Sequence, residues 1–124
     1  MHTTASDGRL TPAALVDRVV AAGLTTIAVT DHDTTRSIDE DTRHAAAHGI
    51  RTVPGIEITS VDDGRDVHML GYFFDHQNAP LLSFLDRQRS LRASRIAEIG
   101  HRLAALGVPV DVEDLLEQAA AMPG

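Results

Sequence analysis

The sequence has no cysteine, no lysine and no tryptophan, and only one tyrosine and three phenylalanines among its 124 residues. Without cysteine, neither a disulfide framework nor a thiolate metal site can form. With aromatic residues at 3%, the core has to come from Ala, Val, Leu and Ile, and an apolar content of 43% supplies enough for one compact unit. All 11 basic residues are arginines, a usage that reads as composition bias. Long hydrophobic runs are missing too: none approaches the roughly 20 residues that a bilayer span requires. No charged-then-apolar leader is read at the amino end, so a soluble cytoplasmic protein is expected. Positive charge is in deficit, and a formal net charge of -7 argues against a broad footprint for duplex DNA or an anionic membrane. That balance still admits a phosphorylated substrate, because bound divalent cations reverse the local charge of a carboxylate site. Nothing in the composition speaks to oligomeric state.

What is present centres on Ile27 to Thr34. The β-branched, apolar run Ile27-Ala28-Val29 reads as a strand buried on both faces, ending in Asp31, His32 and Asp33. In parallel α/β sheets, ligands bind at the carboxyl ends of strands, so this placement favours chemistry.

The remaining elements follow from local signals. Thr11 as N-cap, Pro12 at the first helical position and Gly23 past the end predict a helix with the stripe Leu15, Val16, Val19, Val20 and Leu24. A second helix is predicted from Ser37 to His48, with Asp39, Glu40, Asp41 and Arg43 on its outward face. Ile50 to Ser60 reads as a strand bent at Pro54-Gly55, and Asp62-Asp63-Gly64-Arg65 as a hairpin turn into a partner strand, Asp66 to Phe74. From Asn78 to Leu106 the spacing of Leu81, Leu82, Leu85, Ile96, Ile99, Leu103 and Leu106 predicts one long amphipathic helix, stopped by Gly107. A further helix is expected from Asp111 to Ala121, before the chain breaks off at 122–124. The order is α/β up to residue 77 and all-α over 78–124.

His2, Asp7, His32, Glu57 and His68 fall at strand ends or beside them, and imidazole with carboxylate suits Zn, Mn, Fe or similar ions. Each has an ordinary reading as well. His68 alone would be a hydrogen-bonded core histidine, and Asp7 a turn residue. Asp31 and Asp33 would orient His32 or cap the next helix. His44, His48, His76 and His101 read as solvated surface, as does the band Arg87, Arg89, Arg92 and Arg95, from which one or two guanidinium groups would reach a substrate phosphate as the lesser alternative. Glu57 resists the ordinary reading, because a carboxylate in an apolar run is costly to bury without a partner.

His2-Thr-Thr-Ala-Ser-Asp-Gly8, Val29-Thr-Asp-His-Asp-Thr34, Pro54-Gly-Ile-Glu-Ile-Thr59 and Asp66-Val-His-Met-Leu-Gly-Tyr72 together resemble successive motifs of the PHP family, the polymerase and histidinol phosphatase phosphoesterases. The subgroup they resemble acts on nucleoside 3′,5′-bisphosphates or short RNA 5′ ends. The resemblance implies the first half of a distorted (β/α)7 barrel over 1–77, then the start of a helical insertion over 78–124. It also implies two or three divalent ions, Mn2+ first, with Zn2+, Fe2+ or Mg2+ as alternatives. His2, Asp7, His32, Glu57 and His68 match the family's metal ligands, with Glu57 as the bridging carboxylate and Asp7, His32, Glu57 and His68 acting in catalysis through the metals. Asp31 or Asp33 would hold an imidazole in its tautomer. The implied reaction is hydrolysis of a small phosphate ester by metal-activated water.

The family's first opening histidine would precede Met1, and its later ligands have no counterpart here. The chain is therefore expected to be an amino-terminal fragment, inactive alone because a half barrel leaves open strand edges. Two other functions share these residues: a histidinol-phosphate phosphatase, and a non-catalytic metal-binding module.

Overall fold

The computed structural model describes residues 1–121, so the expected break at 122–124 lies outside the described residues. The fold is mixed α/β, in the order α1 (Pro12–Ala21), β1 (Thr26–Ile27), α2 (Ile38–Ala47), β2 (Arg51–Thr52), β3 (Gly55–Asp62), β4 (Arg65–Tyr72), α3 (Ala79–Ala105) and α4 (Val112–Ala121). No described helix is long and apolar enough to cross a membrane.

Helix starts follow their local chemistry. Thr11 Oγ1 accepts from the Ala14 N–H at 3.3 Å ahead of Pro12, and Asn78 Oδ1 accepts from the Leu81 N–H at 3.1 Å ahead of Pro80. Helix α1 buries Pro12, Leu15, Val16 and Val19. Val16 and Val19 join Ile27, Ala45 and Ile50 in one cluster, which packs α1 and α2 over the start of the strands. Two expected members of the α1 stripe, Val20 and Leu24, are exposed instead, because they turn away from that cluster.

The central strand is shorter than expected, with β1 confined to Thr26 and Ile27, and only Ile27 and Val29 are buried while Ala28 is half-buried. Strand β1 pairs in parallel with β2, Thr26 opposite Arg51 and Ile27 opposite Thr52, and the same register reappears beyond a gap where His32 bridges Glu57. The gap is the Pro54-Gly55 bend. A Cβ on Gly55 would lie 2.6 Å from the Val29 carbonyl oxygen, so only glycine lets the backbones come this close.

Strands β3 and β4 form a separate antiparallel hairpin in register from Gly55–Tyr72 to Asp62–Arg65. Its turn is the expected one, with Asp63 and Gly64 at φ of 47° and 74°, the left-handed pair that suits the twist of a two-residue hairpin. Helix α3 is continuous as expected. Of its apolar stripe, however, Leu85 is buried while Leu82, Ile99 and Leu106 are exposed.

Asp41 departs from expectation. It lies inward rather than on the charged outer face of α2, 2% exposed, against a small cleft lined by Val29, Ile38, Thr42, Thr52 and Val53. Neither carboxylate oxygen has a hydrogen-bond partner among the described residues. Burial, reinforced by the Asp31 and Glu40 carboxylates, pushes its pKa from 3.8 up to about 6. The folded protein thus binds a proton at Asp41 that the unfolded chain has released, and the stability this group contributes below pH 4 is lost as pH rises through 6. Asp41→Asn should accordingly stabilise the fold at pH 7 by about 2–3 kcal/mol and flatten its dependence between pH 4 and 6 in urea unfolding. Equal stability of the two proteins at pH 7 would count against it.

Candidate metal centre

Three side chains converge just beyond the β1–β2 pair, where His32 bridges Glu57 of β3. One ligand atom each from His2, His32 and Glu57 lies within 4.8 Å of the others. Each arrives by a different local device. His32 follows the end of the central strand. Glu57 sits opposite it in β3, fixed by the Asp33 N–H donating to the Glu57 carbonyl at 2.9 Å and the Glu57 N–H donating to the Asp31 carbonyl at 3.1 Å. His2 is brought alongside by the amino-terminal segment, whose Met1 carbonyl accepts from the Thr30 N–H at 2.7 Å.

The opening segment then folds back on itself. The Ser6 and Gly8 N–H groups both donate to the Thr3 carbonyl, at 3.0 and 2.9 Å, a tight turn that carries Asp7 back to His2. Gly8 is required there, since a Cβ would collide with the His2 carbonyl.

Within the cluster, Glu57 lies 3.3 Å from His2 Nε2, 3.9 Å from His32 Nδ1 and 2.6 Å from His68 Nδ1. Asp7 lies 3.3 Å from His2 Nδ1 and 3.8 Å from His32 Nε2. The rings of His2 and His32 stack with centroids 4.7 Å apart, and His68 meets His32 edge-on at 4.9 Å. All five residues expected at the site therefore share one rim. His68 is not a core histidine, for its side chain is 46% exposed on β4, opposite Thr59 and diagonal to Glu57.

Two observations fit this rim to divalent ions. His2 Nδ1 is buried and makes no hydrogen bond among the described residues, although Asp7 Oδ1 lies 3.3 Å away, and a cation between that nitrogen and the carboxylate would satisfy both. The donors are imidazole nitrogen and carboxylate oxygen, the set that borderline divalent cations prefer, and the Glu57 oxygens lie near three imidazoles.

The two aspartates flanking His32 do not hold an imidazole. Asp31 turns inward to Thr3, Ser6 and Ser37. Asp33, at φ 50°, accepts from the Thr59 N–H at 2.9 Å and from Arg92 Nη2 at 2.7 Å. The carboxylates answer to backbone and hydroxyl donors that sequence spacing does not reveal. Arg92 likewise leaves the solvated band to bind beside the site, whereas Arg87 and Arg95 stay exposed and Arg89 pairs with Asp86. His76 also differs from a free surface histidine, pairing with Asp39 at 2.9 Å. His44 pairs with Glu40 at 3.8 Å, and His48 and His101 are exposed. Sequence reading overlooked Thr3, Ser6 and Ser37. Only Ser37, six residues from Asp31, is near it in the sequence; Thr3 and Ser6 lie 28 and 25 residues away and gave no signal.

Comparison with known proteins places these features in context. Residues 1–93 match the family described as the PHP domain. The chain is 41% identical over 108 residues to a 5′-3′ exoribonuclease of Haemophilus influenzae, covering 87% of this chain and 39% of that protein. It is 37% identical over 108 residues to a 3′,5′-nucleoside bisphosphate phosphatase of Chromobacterium violaceum, covering 86% and 38%. The chain thus spans about two fifths of the length of the curated relatives it matches. Among solved structures, an amidohydrolase from Chromobacterium violaceum with bound sulfate and no metal superposes with a TM-score of 0.78 at 32% identity, over 90% of this chain and 39% of that one. A protein from Bifidobacterium adolescentis described as a metal-dependent phosphoesterase gives 0.79 at 37% identity, over 94% and 41%.

The Gly8 turn makes the site sensitive to one methyl group. Gly8→Ala should push the Asp7 turn off His2 and destabilise the fold by about 1–3 kcal/mol in urea unfolding. A midpoint equal to that of the parent protein would mean that the turn is not held as described.

Proposed function

The chain belongs to the PHP family, and from that premise we propose that the whole protein is a metal-dependent phosphoesterase acting on a small nucleotide-type substrate, a nucleoside 3′,5′-bisphosphate or a short RNA 5′ end. The observation that carries this reading is the convergence of His2, His32 and Glu57 on one rim. The printed activities of two relatives, an exoribonuclease and a bisphosphate phosphatase, support the nucleotide-type substrate.

In this reading His2, Asp7, His32, Glu57 and His68 would hold two or three divalent ions, with Mn2+ the first to test. When bound, such ions supply Lewis-acid neutralisation of an ester phosphate and acidify water. The chain's own residues do the rest. Asp7 and Glu57 bring negative charge to an otherwise imidazole-rich rim, which sets its preference for cations. Arg92, held at Asp33 one residue from His32, offers a planar guanidinium that suits two phosphate oxygens at once and so orients the substrate. Residues 1–77 form the metal-binding part of a (β/α)7 barrel and 78–124 begin a helical subdomain. The protein works in the cytoplasm.

Glu57→Gln in the whole protein should abolish metal-dependent phosphatase activity, and turnover retained within ten-fold of the parent would refute the assignment. Arg92→Ala should raise KM for the phosphate ester by about ten-fold or more, the value of one charge-assisted pair, with kcat less affected. Parallel assays with nucleoside 3′,5′-bisphosphate and histidinol phosphate test the substrate class. Preference for histidinol phosphate would overturn it.

A further inference from the structure

Asp31 is 1% exposed, and its carboxylate accepts four hydrogen bonds, two at each oxygen. The Thr3 N–H at 2.6 Å and Ser6 Oγ at 2.7 Å donate to Oδ1, and Thr3 Oγ1 at 2.7 Å and Ser37 Oγ at 2.6 Å donate to Oδ2. None of these donors is charged. A carboxylate removed from water needs every lone pair met, so the four donors are locked to it and to one another.

What matters is where those donors sit. Thr3 follows His2, Ser6 precedes Asp7, and Asp31 itself precedes His32. The backbone carbonyl of Asp31 accepts from the Glu57 N–H at 3.1 Å. Four of the five rim residues are therefore either one residue from this buried knot or bonded to it directly. The Ser37 arm points the other way, to the start of α2, where no rim residue lies.

We propose that Asp31 is the positioning residue of the metal centre: it touches no ion, and by gripping Thr3 and Ser6 it sets the places of His2 and Asp7 against His32 and Glu57. The inference rests on the metal reading above. A folding anchor alone would treat its arms alike. A positioning residue would not, because only the Thr3 and Ser6 arms lead to ligands.

Thr3→Val and Ser37→Ala each remove one hydroxyl from the same oxygen, Oδ2, with Thr3→Val also losing the acceptor of the Ala5 N–H at 3.1 Å; Ser6→Ala, which also gives up the 3.4 Å contact of its hydroxyl with Asp7 Oδ1, is a second variant on the ligand side. Heat unfolding without metal should show a loss of Tm for all three, Ser37→Ala included. Calorimetric titration with Mn2+ should separate them. Thr3→Val and Ser6→Ala should weaken binding about 10-fold or more, the usual effect of losing a group that orients a ligand, and Ser37→Ala should match the parent. Equal Mn2+ affinity across the three variants, or a loss confined to Ser37→Ala, would overturn the inference. A parent protein that binds Mn2+ while Thr3→Val and Ser6→Ala bind it as tightly overturns this role alone. A parent that binds no divalent ion overturns the metal reading and this inference together.

Discussion

A single buried carboxylate, four residues beyond a short strand, ties together segments that the chain leaves far apart. Among the described residues no cation pairs with Asp31, so its burial is tolerable only while Thr3, Ser6 and Ser37 surround it. Because those partners lie in the opening segment and at the head of α2, satisfying one charge closes the amino-terminal turn and docks the second helix in the same act. Local propensity could accomplish neither. The opening segment is polar, and Ser37 makes no side-chain cap bond to its own helix.

The rim depends on a second constraint, the continuity of one parallel register across a break. Pairing at Thr26–Arg51 and Ile27–Thr52 is lost at Pro54-Gly55 and resumes at His32–Glu57. The bend lets the second strand press against Val29 and then turn into the β3–β4 hairpin, so that Glu57 faces His32 along one edge and His68 across the other. A straight strand would pair with one neighbour or the other. The kink lets a single carboxylate serve three imidazoles, and it explains why an acidic residue can sit inside an apolar run.

How much of this could be read from the sequence divides along the range of the interactions. Thr11 with Pro12, the leucine and isoleucine spacing from Leu81 to Leu106, and Asp63-Gly64 act within a few residues, and the elements they announce are present. The Pro54-Gly55 bend was legible for the same reason. The rim residues were legible as a set of motifs, and the structure brings them to one place. What stayed hidden was decided by contacts across the chain. Asp41 looks like part of a charged helix face and is buried, because α2 is rotated to bring Ala45 and Ile38 inward. Arg92 belongs to a polar band by spacing, yet Asp33 lies within its reach. Asp31 next to His32 invites the reading of an imidazole partner, whereas its side chain points to the opposite side of the strand.

The central claim is that distant histidines and carboxylates are held at one rim in order to bind divalent cations. Anomalous diffraction from crystals of the protein grown with Mn2+ tests it most directly. The account predicts a peak at about 2.0–2.3 Å from ligand atoms of His2, His32 and Glu57, distances normal for first-row divalent ions on nitrogen and oxygen. An ordered Mn2+ elsewhere on the protein, with this rim intact and no peak within it, would contradict it.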